Sequence, residues 1–235
     1  MNSSSSLNNK TIGILLLAGK GERFNSLLPK QFHFIDGKPL FVRALKTMDA
    51  ENFDLIILAV EHGYEPLVDK VVKQENLKTP YLILEGSNTR SNSVKEAINY
   101  LMENNYGDDN TIFIHDADRP FASSLLYQRL EKAAKEHSCL IPVLKVEDSV
   151  VESLDQKQVN IYLKRDNIYR VQTPQVFKLG LLKTSFSLLR DQVFTDEGSL
   201  VLMMTGVKPH LIEGEIENIK INTHDDLKLL EDNDL

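Results

Sequence analysis

Glycines and cations are concentrated near the start of the chain, in Gly19-Lys20-Gly21-Glu22-Arg23 and in Pro29-Lys30-Gln31-Phe32. Glycine lets the backbone approach a phosphate and offer N–H groups to it, while lysine and arginine neutralise its charge. A dinucleotide-binding turn would need a third glycine where Phe24 stands, and a Walker loop would need Gly-Lys-Ser/Thr. The pattern therefore favours a phosphate site of another kind over a plain strand-to-helix turn.

Two carboxylates follow an apolar run in the middle of the chain, in Ile114-His115-Asp116-Ala117-Asp118-Arg119-Pro120. A carboxylate at the end of a strand can hold Mg²⁺ against substrate phosphates, which makes Asp116 a candidate metal ligand. Alternatively, Asp116 and Asp118 only cap the next segment or pair with Arg119. Asp-x-Asp also occurs at the metal sites of nucleotide-sugar glycosyltransferases, so that class stays open. For His115 we expect a structural role.

Two weaker signals lie elsewhere. Gly86-Ser87-x-x-Arg90-x-x-Ser93 precedes a helical pattern, where backbone N–H groups and small hydroxyls could bind a base or a phosphate. The same residues also suit an ordinary helix cap. Lys220 stands inside the apolar run Asn218-Ile219-Lys220-Ile221, where a lysine usually only extends to the surface.

The elements that must position these residues alternate between strand and helix. Continuous apolar runs predict strands over Thr11–Leu17, Phe53–Val60, Pro80–Glu85, Thr111–His115 and Cys139–Leu144. Helical patterns lie over Pro39–Met48, Pro66–Lys73, Ser91–Glu103 and Ser124–His137. Such alternation predicts an α/β fold with a mostly parallel twisted sheet and helices on both faces. Ligands of these folds bind beyond the carboxyl ends of the strands, where the candidate residues lie.

The alternation stops after Leu144. The segment from Lys145 to Arg170 has no helical period, and we interpret about 145–165 as a protruding β-arm. Helices are predicted again over Leu179–Leu189 and Glu197–Met204, and strands over Pro209–Glu213 and Asn218–Asn222. A last helix over Thr223–Asp232 opens with a Thr-x-x-Asp capping arrangement.

Composition excludes several classes of protein. The 235 residues, 42% hydrophobic and 26% charged, suit a single globular domain over 11–235, preceded by a polar tail over 1–10 that we expect to be disordered. A net charge of −7 argues against a nucleic-acid partner. The apolar run Leu55–Val60 is too short to cross a membrane. The single cysteine, Cys139, suits the cytoplasm, and its apolar neighbours suggest that it is buried and inert.

Seven motifs in a fixed order point to one family. They are Ala-Gly-x-Gly-x-Arg, Pro-Lys-Gln-Phe, Gly-x-x-x-Arg-x-x-Ser-Val, His-Asp-x-x-Arg-Pro, Gln-Thr-Pro-Gln-x-Phe, Thr-Asp-Glu and Asn-Ile-Lys-Ile. From about Thr11 to Leu230 the chain resembles the 2-C-methyl-D-erythritol 4-phosphate cytidylyltransferases of isoprenoid precursor biosynthesis. The ribitol- and other alditol-phosphate cytidylyltransferases share most of these motifs.

The resemblance implies a Rossmann-like nucleotidyltransferase fold, CTP as co-substrate, Mg²⁺, and a homodimer formed through the β-arm. It implies that Arg23, Lys30 and Lys220 stabilise the reacting phosphates and that Asp116 binds the metal. The nucleotide would be bound by Leu17, Ala18, Gly19, Gly21, Gly86, Ser87 and Ser93. The acceptor would be bound by Arg119, Thr173 and Thr195, together with Ser149 and Arg165 from the partner's arm.

Some residues depart from the family pattern. Leu17 replaces a small residue or proline, which suggests a crowded base pocket. Asp118 replaces a small apolar residue and could either recruit a second metal or pair with Arg119. Ser149 replaces threonine, and Val151 stands where alditol enzymes often carry valine. Against this, three features look like the methylerythritol enzymes: the short loop from Arg23 to Lys30, Arg90-x-x-Ser93-Val94 and Thr195-Asp196-Glu197. We therefore expect methylerythritol phosphate as the acceptor. A nucleotide-binding regulator is disfavoured, because all the cations and the carboxylate that catalysis needs are present.

Overall fold

The structure, a computed structural model, describes residues 9–18, 29–35, 37–87, 89–192, 194–223 and 225–226. Its strands are β1 (Thr11–Leu17), β2 (Phe34–Ile35), β3 (Lys38–Pro39), β4 (Leu55–Val60), β5 (Tyr81–Glu85), β6 (Thr111–Asp116), β7 (Cys139–Lys145), β8 (Val150–Glu152), β9 (Ile161–Leu163), β10 (Tyr169–Val171), β11 (Gln175–Lys178) and β12 (His210–Glu213). Its helices are α1 (Leu40–Ala50), α2 (Glu65–Glu75), α3 (Arg90–Glu103), α4 (Ser124–Ala133), α5 (Leu179–Leu188) and α6 (Glu197–Thr205).

One mixed sheet of eight strands organises the fold, with the order β10-β7-β11-β6-β1-β4-β5 and β12 paired to β7. The strands β6, β1, β4 and β5 run parallel, while β10 and β11 enter antiparallel. The central strands are buried along almost their whole length, because apolar clusters cover both faces of the sheet. This arrangement confirms the predicted α/β fold with a mostly parallel sheet.

Most predicted elements are confirmed, with ends that shift by a few residues. Helix α4 ends at Ala133 rather than at His137, and β12 begins at His210. The predicted strand over Asn218–Asn222 is wrong, because this segment joins no ladder and its groups bond singly. For example, the Ile221 N–H donates to the carbonyl of Asp118 at 2.8 Å. The antiparallel strands β10 and β11 were absent from the prediction.

The predicted arm contains a two-stranded antiparallel sheet, in which β8 pairs with β9. Of the predicted last helix, only 223 and 225–226 lie in the described part, and the Asp226 carboxylate accepts the Thr223 N–H there at 2.9 Å. The predicted disordered tail lies outside the described residues, apart from Asn9 and Lys10. Among the described residues no helix is long and apolar enough to cross a membrane.

Candidate active site

Asp116 is the centre of the candidate site. It is the last residue of β6, a central strand that pairs with β1 on one side and β11 on the other, so the sheet fixes its position at a carboxyl edge. Its Oδ1 accepts from Arg90 Nε at 2.8 Å, and its Oδ2 accepts from Lys220 Nζ at 2.7 Å. Only 7% of Asp116 is exposed. Both oxygens of this buried carboxylate therefore face a cation.

A second carboxylate, Asp118, pairs with lysines from two segments that are far apart in the sequence. Its Oδ2 lies 2.5 Å from Lys30 Nζ, and its Oδ1 lies 3.7 Å from Lys220 Nζ. Lys30 reaches this place from a short 3-10 turn over Lys30–Phe32, and its Nζ also donates to Asn222 Oδ1 at 3.4 Å. Asp118 thus pairs with two lysines and not with Arg119, which was one of the alternatives that the sequence left open.

Arg119 binds backbone carbonyls instead of a carboxylate. Its guanidinium donates to the carbonyls of Asn218 at 2.9 Å and Val171 at 3.4 Å. These contacts hold the segment before Lys220 against the end of β10. Arg119 therefore lies beside the cluster, and burial lowers the pKa of its guanidinium below the ordinary value.

A buried histidine supports the backbone of the site. The His115 Nε2–H donates to the Arg119 carbonyl at 2.9 Å, which leaves Nδ1 to accept from the Thr173 hydroxyl at 3.0 Å. The Thr173 oxygen in turn accepts the Asp116 N–H at 3.1 Å. Complete burial lowers the pKa of His115 to about 4, so the ring is neutral at physiological pH. His115 therefore has the structural role that the sequence suggested. Its partner Thr173 is buried as well, with 4% of the residue exposed.

The charges of the cluster are set by burial and by its ion pairs. Burial alone would raise the pKa of Asp116, but Arg90 and Lys220 outweigh it and hold that pKa below its ordinary value. Burial would lower the pKa of Lys220, but Asp116 and Asp118 outweigh it and raise that pKa. Asp116 and Lys220 are therefore both charged at neutral pH.

Three predicted nucleotide-binding residues meet at the carboxyl end of β4. A Cβ on Gly86 would lie 2.8 Å from the Ala18 Cβ and 3.0 Å from the Ser93 Oγ, so only glycine fits there. The Ser87 N–H donates to Ser93 Oγ at 3.0 Å. Leu17 differs from the expectation, because its side chain belongs to the apolar core and does not crowd a pocket. Only its backbone, whose carbonyl accepts from the Gln31 side chain, can face a ligand.

The other predicted residues either lie outside the described part of the chain or are not part of this cluster. Gly19, Gly21 and Arg23 lie outside the described residues. Ser149 is exposed beside β8, and exposed Arg165 donates to the Glu147 carbonyl at 2.8 Å. Thr195 is exposed two residues before α6.

Two residues that the sequence places in motifs, but to which it assigns no role, complete the cluster. Arg90 Nη1 donates to both carboxylate oxygens of Glu197, at 2.8 and 2.7 Å, while its Nε holds Asp116. Burial raises the pKa of Glu197, and the charge of Arg90 opposes that rise. The position of Arg90 at the first residue of a helix is a sequence signal for this pairing. A cation there opposes the helix dipole and needs an anionic partner.

The donor set fits a divalent cation. Asp118 Oδ1 is buried and accepts no hydrogen bond from the part of the chain that the structure describes. Asp116 Oδ2 lies beside the same lysine, Lys220. Carboxylate oxygens are the ligands that Mg²⁺ prefers, so these two atoms could hold it.

Comparisons with known proteins agree with this geometry. A statistical description of the 2-C-methyl-D-erythritol 4-phosphate cytidylyltransferase family matches residues 11–232. The enzyme of that name from Thermosipho melanesiensis is 37% identical over 221 residues, which cover 93% of this chain and 95% of that one. The one from Bacteroides thetaiotaomicron is 33% identical, with 92% and 95% covered.

Solved structures agree as well. The 4-diphosphocytidyl-2C-methyl-D-erythritol synthase of Anaerococcus prevotii superposes with a TM-score of 0.79 at 26% identity, over 94% of this chain and 96% of that one. The 2-C-methyl-D-erythritol 4-phosphate cytidylyltransferase of Francisella tularensis gives 0.77 at 30% identity, over 95% and 99%. The chain therefore belongs to the 2-C-methyl-D-erythritol 4-phosphate cytidylyltransferase family.

Proposed function

We propose that the protein couples CTP to 2-C-methyl-D-erythritol 4-phosphate and releases pyrophosphate, a step of isoprenoid precursor biosynthesis. Family membership supports this function. The observation that carries it is the cluster of Asp116, Asp118, Lys30 and Lys220 at the carboxyl edge of the sheet. Such a cluster can bind and align two polyanions in an acidic protein.

The chemistry needs charge neutralisation more than proton transfer. A phosphate oxygen of the acceptor forms a bond to the α-phosphorus of CTP, and the bond from that phosphorus to the β-phosphate oxygen breaks, so pyrophosphate leaves with the bonding electrons. The acceptor phosphate is already an anion at neutral pH. Alignment and stabilisation of the developing negative charge therefore supply the rate enhancement.

We assign the cations to this task. Lys30 and Lys220 are held by Asp118 and Asp116 before substrate binds, so their ammonium groups are placed in advance and can turn to the phosphates. Arg23 is expected to join them, as the family resemblance implies. Arg119 and Thr195 are assigned to the acceptor side on the same basis, together with Thr173, which is buried behind Asp116.

We assign the nucleotide to the adjoining carboxyl end of β4. Ala18, Gly86 and Ser93 meet there, and Ser87 and the backbone of Leu17 adjoin them. Gly19 and Gly21 are expected to contribute N–H groups, again on the family resemblance.

We also propose that Mg²⁺ takes part, with Asp116 as its ligand and Asp118 as a second one. When bound, the ion would neutralise triphosphate charge. The fit of Asp118 Oδ1, buried without a hydrogen bond among the described residues, supports this assignment.

The working form is proposed to be a homodimer. The hairpin of β8 and β9 exposes large apolar side chains, with 70% of Tyr162, 51% of Ile161 and 41% of Val151 accessible. An isolated two-stranded hairpin is marginally stable in water, and exposed apolar patches mark interaction sites. A second copy would cover this surface and receive Ser149 and Arg165 into its own site. The lone, buried thiol of Cys139, with its pKa raised by burial to about 12, is compatible with the cytoplasm as the place of action.

The acceptor is tested by measuring pyrophosphate release from CTP with methylerythritol phosphate and ribitol 5-phosphate in parallel. We expect kcat/KM to favour methylerythritol phosphate at least about tenfold, a difference of about 1.4 kcal/mol in transition-state binding. A preference for ribitol 5-phosphate would establish the alditol enzyme that Val151 and Ser149 left open. Pyrophosphate release from CTP without any acceptor would refute both cytidylyltransferase functions. A nucleotide-sugar glycosyltransferase would release no pyrophosphate from CTP.

A further inference from the structure

Three elements meet behind the carboxylate of Asp116. Arg90 is the first residue of α3, Glu197 is the first residue of α6, and Asp116 is the last residue of β6. The guanidinium of Arg90 bridges the two carboxylates, with Nε on Asp116 at 2.8 Å and Nη1 on Glu197 at 2.7 and 2.8 Å. Glu197 has no exposed surface at all. It is therefore too deep to touch a substrate directly.

Stability alone gives little reason for this arrangement. A buried ion pair is often no more stabilising than apolar residues of the same size, because both charges lose their hydration. Arg90 also stands at a helix N-terminus, where the dipole disfavours a cation. The planar fork of arginine, in contrast, is well suited to fix the direction of a carboxylate.

The sheet holds Glu197 in place. Gln175 of β11 donates from its side-chain amide to Asp196 at 3.0 Å, and its Oε1 accepts the Gly198 N–H at 3.0 Å. These two bonds fasten the first turn of α6 to a strand that pairs directly with β6. Gly198 has no room for a side chain there, since a Cβ would lie 2.9 Å from Ile141.

We propose that Glu197 and Arg90 are positioning residues that fix the Asp116 carboxylate so that it offers a single oxygen, Oδ2, to a bound cation. Oδ1 is occupied by Arg90, whereas Oδ2 faces Lys220, which can turn away to a phosphate. Glu197 prevents the guanidinium from rotating out of this position. The inference rests on the proposed metal role of Asp116.

Mn²⁺ affinity tests this without any turnover. Electron paramagnetic resonance of free Mn²⁺, recorded with the full chain and CTP but no acceptor and compared with the same CTP alone, gives the dissociation constant of the protein site. Glu197→Gln and Arg90→Lys should each weaken binding about 10- to 100-fold, as loss of a partner behind a metal ligand typically does. Glu75→Gln is the matched control, because Glu75 is also mostly buried and pairs with Lys38 at 2.8 Å, away from the cluster. It should leave Mn²⁺ affinity unchanged.

Asp116→Asn separates the two ways of failing. If it weakens Mn²⁺ binding while folded Glu197→Gln does not, the positioning role is refuted and Glu197 only stabilises the fold. If Asp116→Asn changes nothing, the metal role falls and the positioning role falls with it. Where Glu197→Gln gives too little folded protein, Glu197→Asp replaces it, because the shorter side chain should release Arg90 and weaken Mn²⁺ in the same range.

Discussion

Acid should destabilise the protein through His115. This ring is completely buried and neutral, and its pKa is about 4 in the fold against an ordinary value of 6.5. Between these values the unfolded chain binds a proton that the folded chain does not, so stability falls as the pH falls. The full effect, about 2.5 pKa units, is roughly 3 kcal/mol, and about 2 kcal/mol of it should be lost between pH 8 and pH 5.

Urea unfolding at several pH values, at one fixed protein concentration, measures this loss. His115→Gln is the control, because glutamine can still donate to the Arg119 carbonyl but does not titrate. Burial raises the pKa of Glu197, so this carboxylate binds a proton more readily in the folded than in the unfolded chain. Its contribution to the free energy of unfolding therefore changes with pH in the opposite direction. This contribution is common to wild type and variant. The difference between wild type and variant in how the free energy of unfolding changes with pH therefore isolates the contribution of His115. If both proteins lose stability equally between pH 8 and pH 5, the argument from the buried neutral ring is wrong.

Three further predictions concern the reaction. Lys30→Ala should lower kcat about 100-fold in an assay of pyrophosphate release, since it removes a charge-assisted contact to the reacting phosphates. Lys38→Ala, which is remote from the cluster, should not lower kcat. A near-normal kcat for Lys30→Ala would exclude Lys30 from the mechanism. Asp116→Asn should lower activity strongly, with only partial rescue by excess Mg²⁺ in a titration; a harmless Asp116→Asn beside a crippling Asp118→Asn would reverse the metal assignment. Arg165→Ala should raise the KM for the acceptor more than the KM for CTP. Mixing this variant with Lys30→Ala should restore about a quarter of wild-type activity once subunits have exchanged. Activity no greater than the sum of both variants would place Arg165 outside any shared site.

The sequence predicts the parallel half of the fold well. Strands such as Thr11–Leu17 are buried on both faces, so they stand out as apolar runs, and β1 has the predicted bounds. The strands β10 and β11 were missed because Tyr169–Val171 is exposed and only four residues form β11. The segment around Lys220 shows the opposite error. Its alternating apolar residues suit a strand, but Arg119 and Asp118 bind its backbone instead of a neighbouring strand.

The sequence predicts the residue types of the candidate site but not the contacts among them. Asp116 and Lys220 are 104 positions apart, and no local pattern could show that they touch. The pairing of Glu197 with Arg90 could not be predicted for a similar reason, because an acidic first residue is ordinary in a helix and its burial against Arg90 depends on how α6 packs. Chain folding decides such contacts, whereas motif spacing shows only which residues lie after a strand.

The central claim is that the acceptor phosphate attacks the α-phosphorus of CTP. The ³¹P NMR spectrum of the product formed from CTP and methylerythritol phosphate tests it most directly. We predict two coupled doublets from a new diphosphate bridge between the cytidine and the polyol, together with one equivalent of pyrophosphate. Cytidine monophosphate and pyrophosphate without that bridge, with the polyol phosphate unchanged, would contradict the claim.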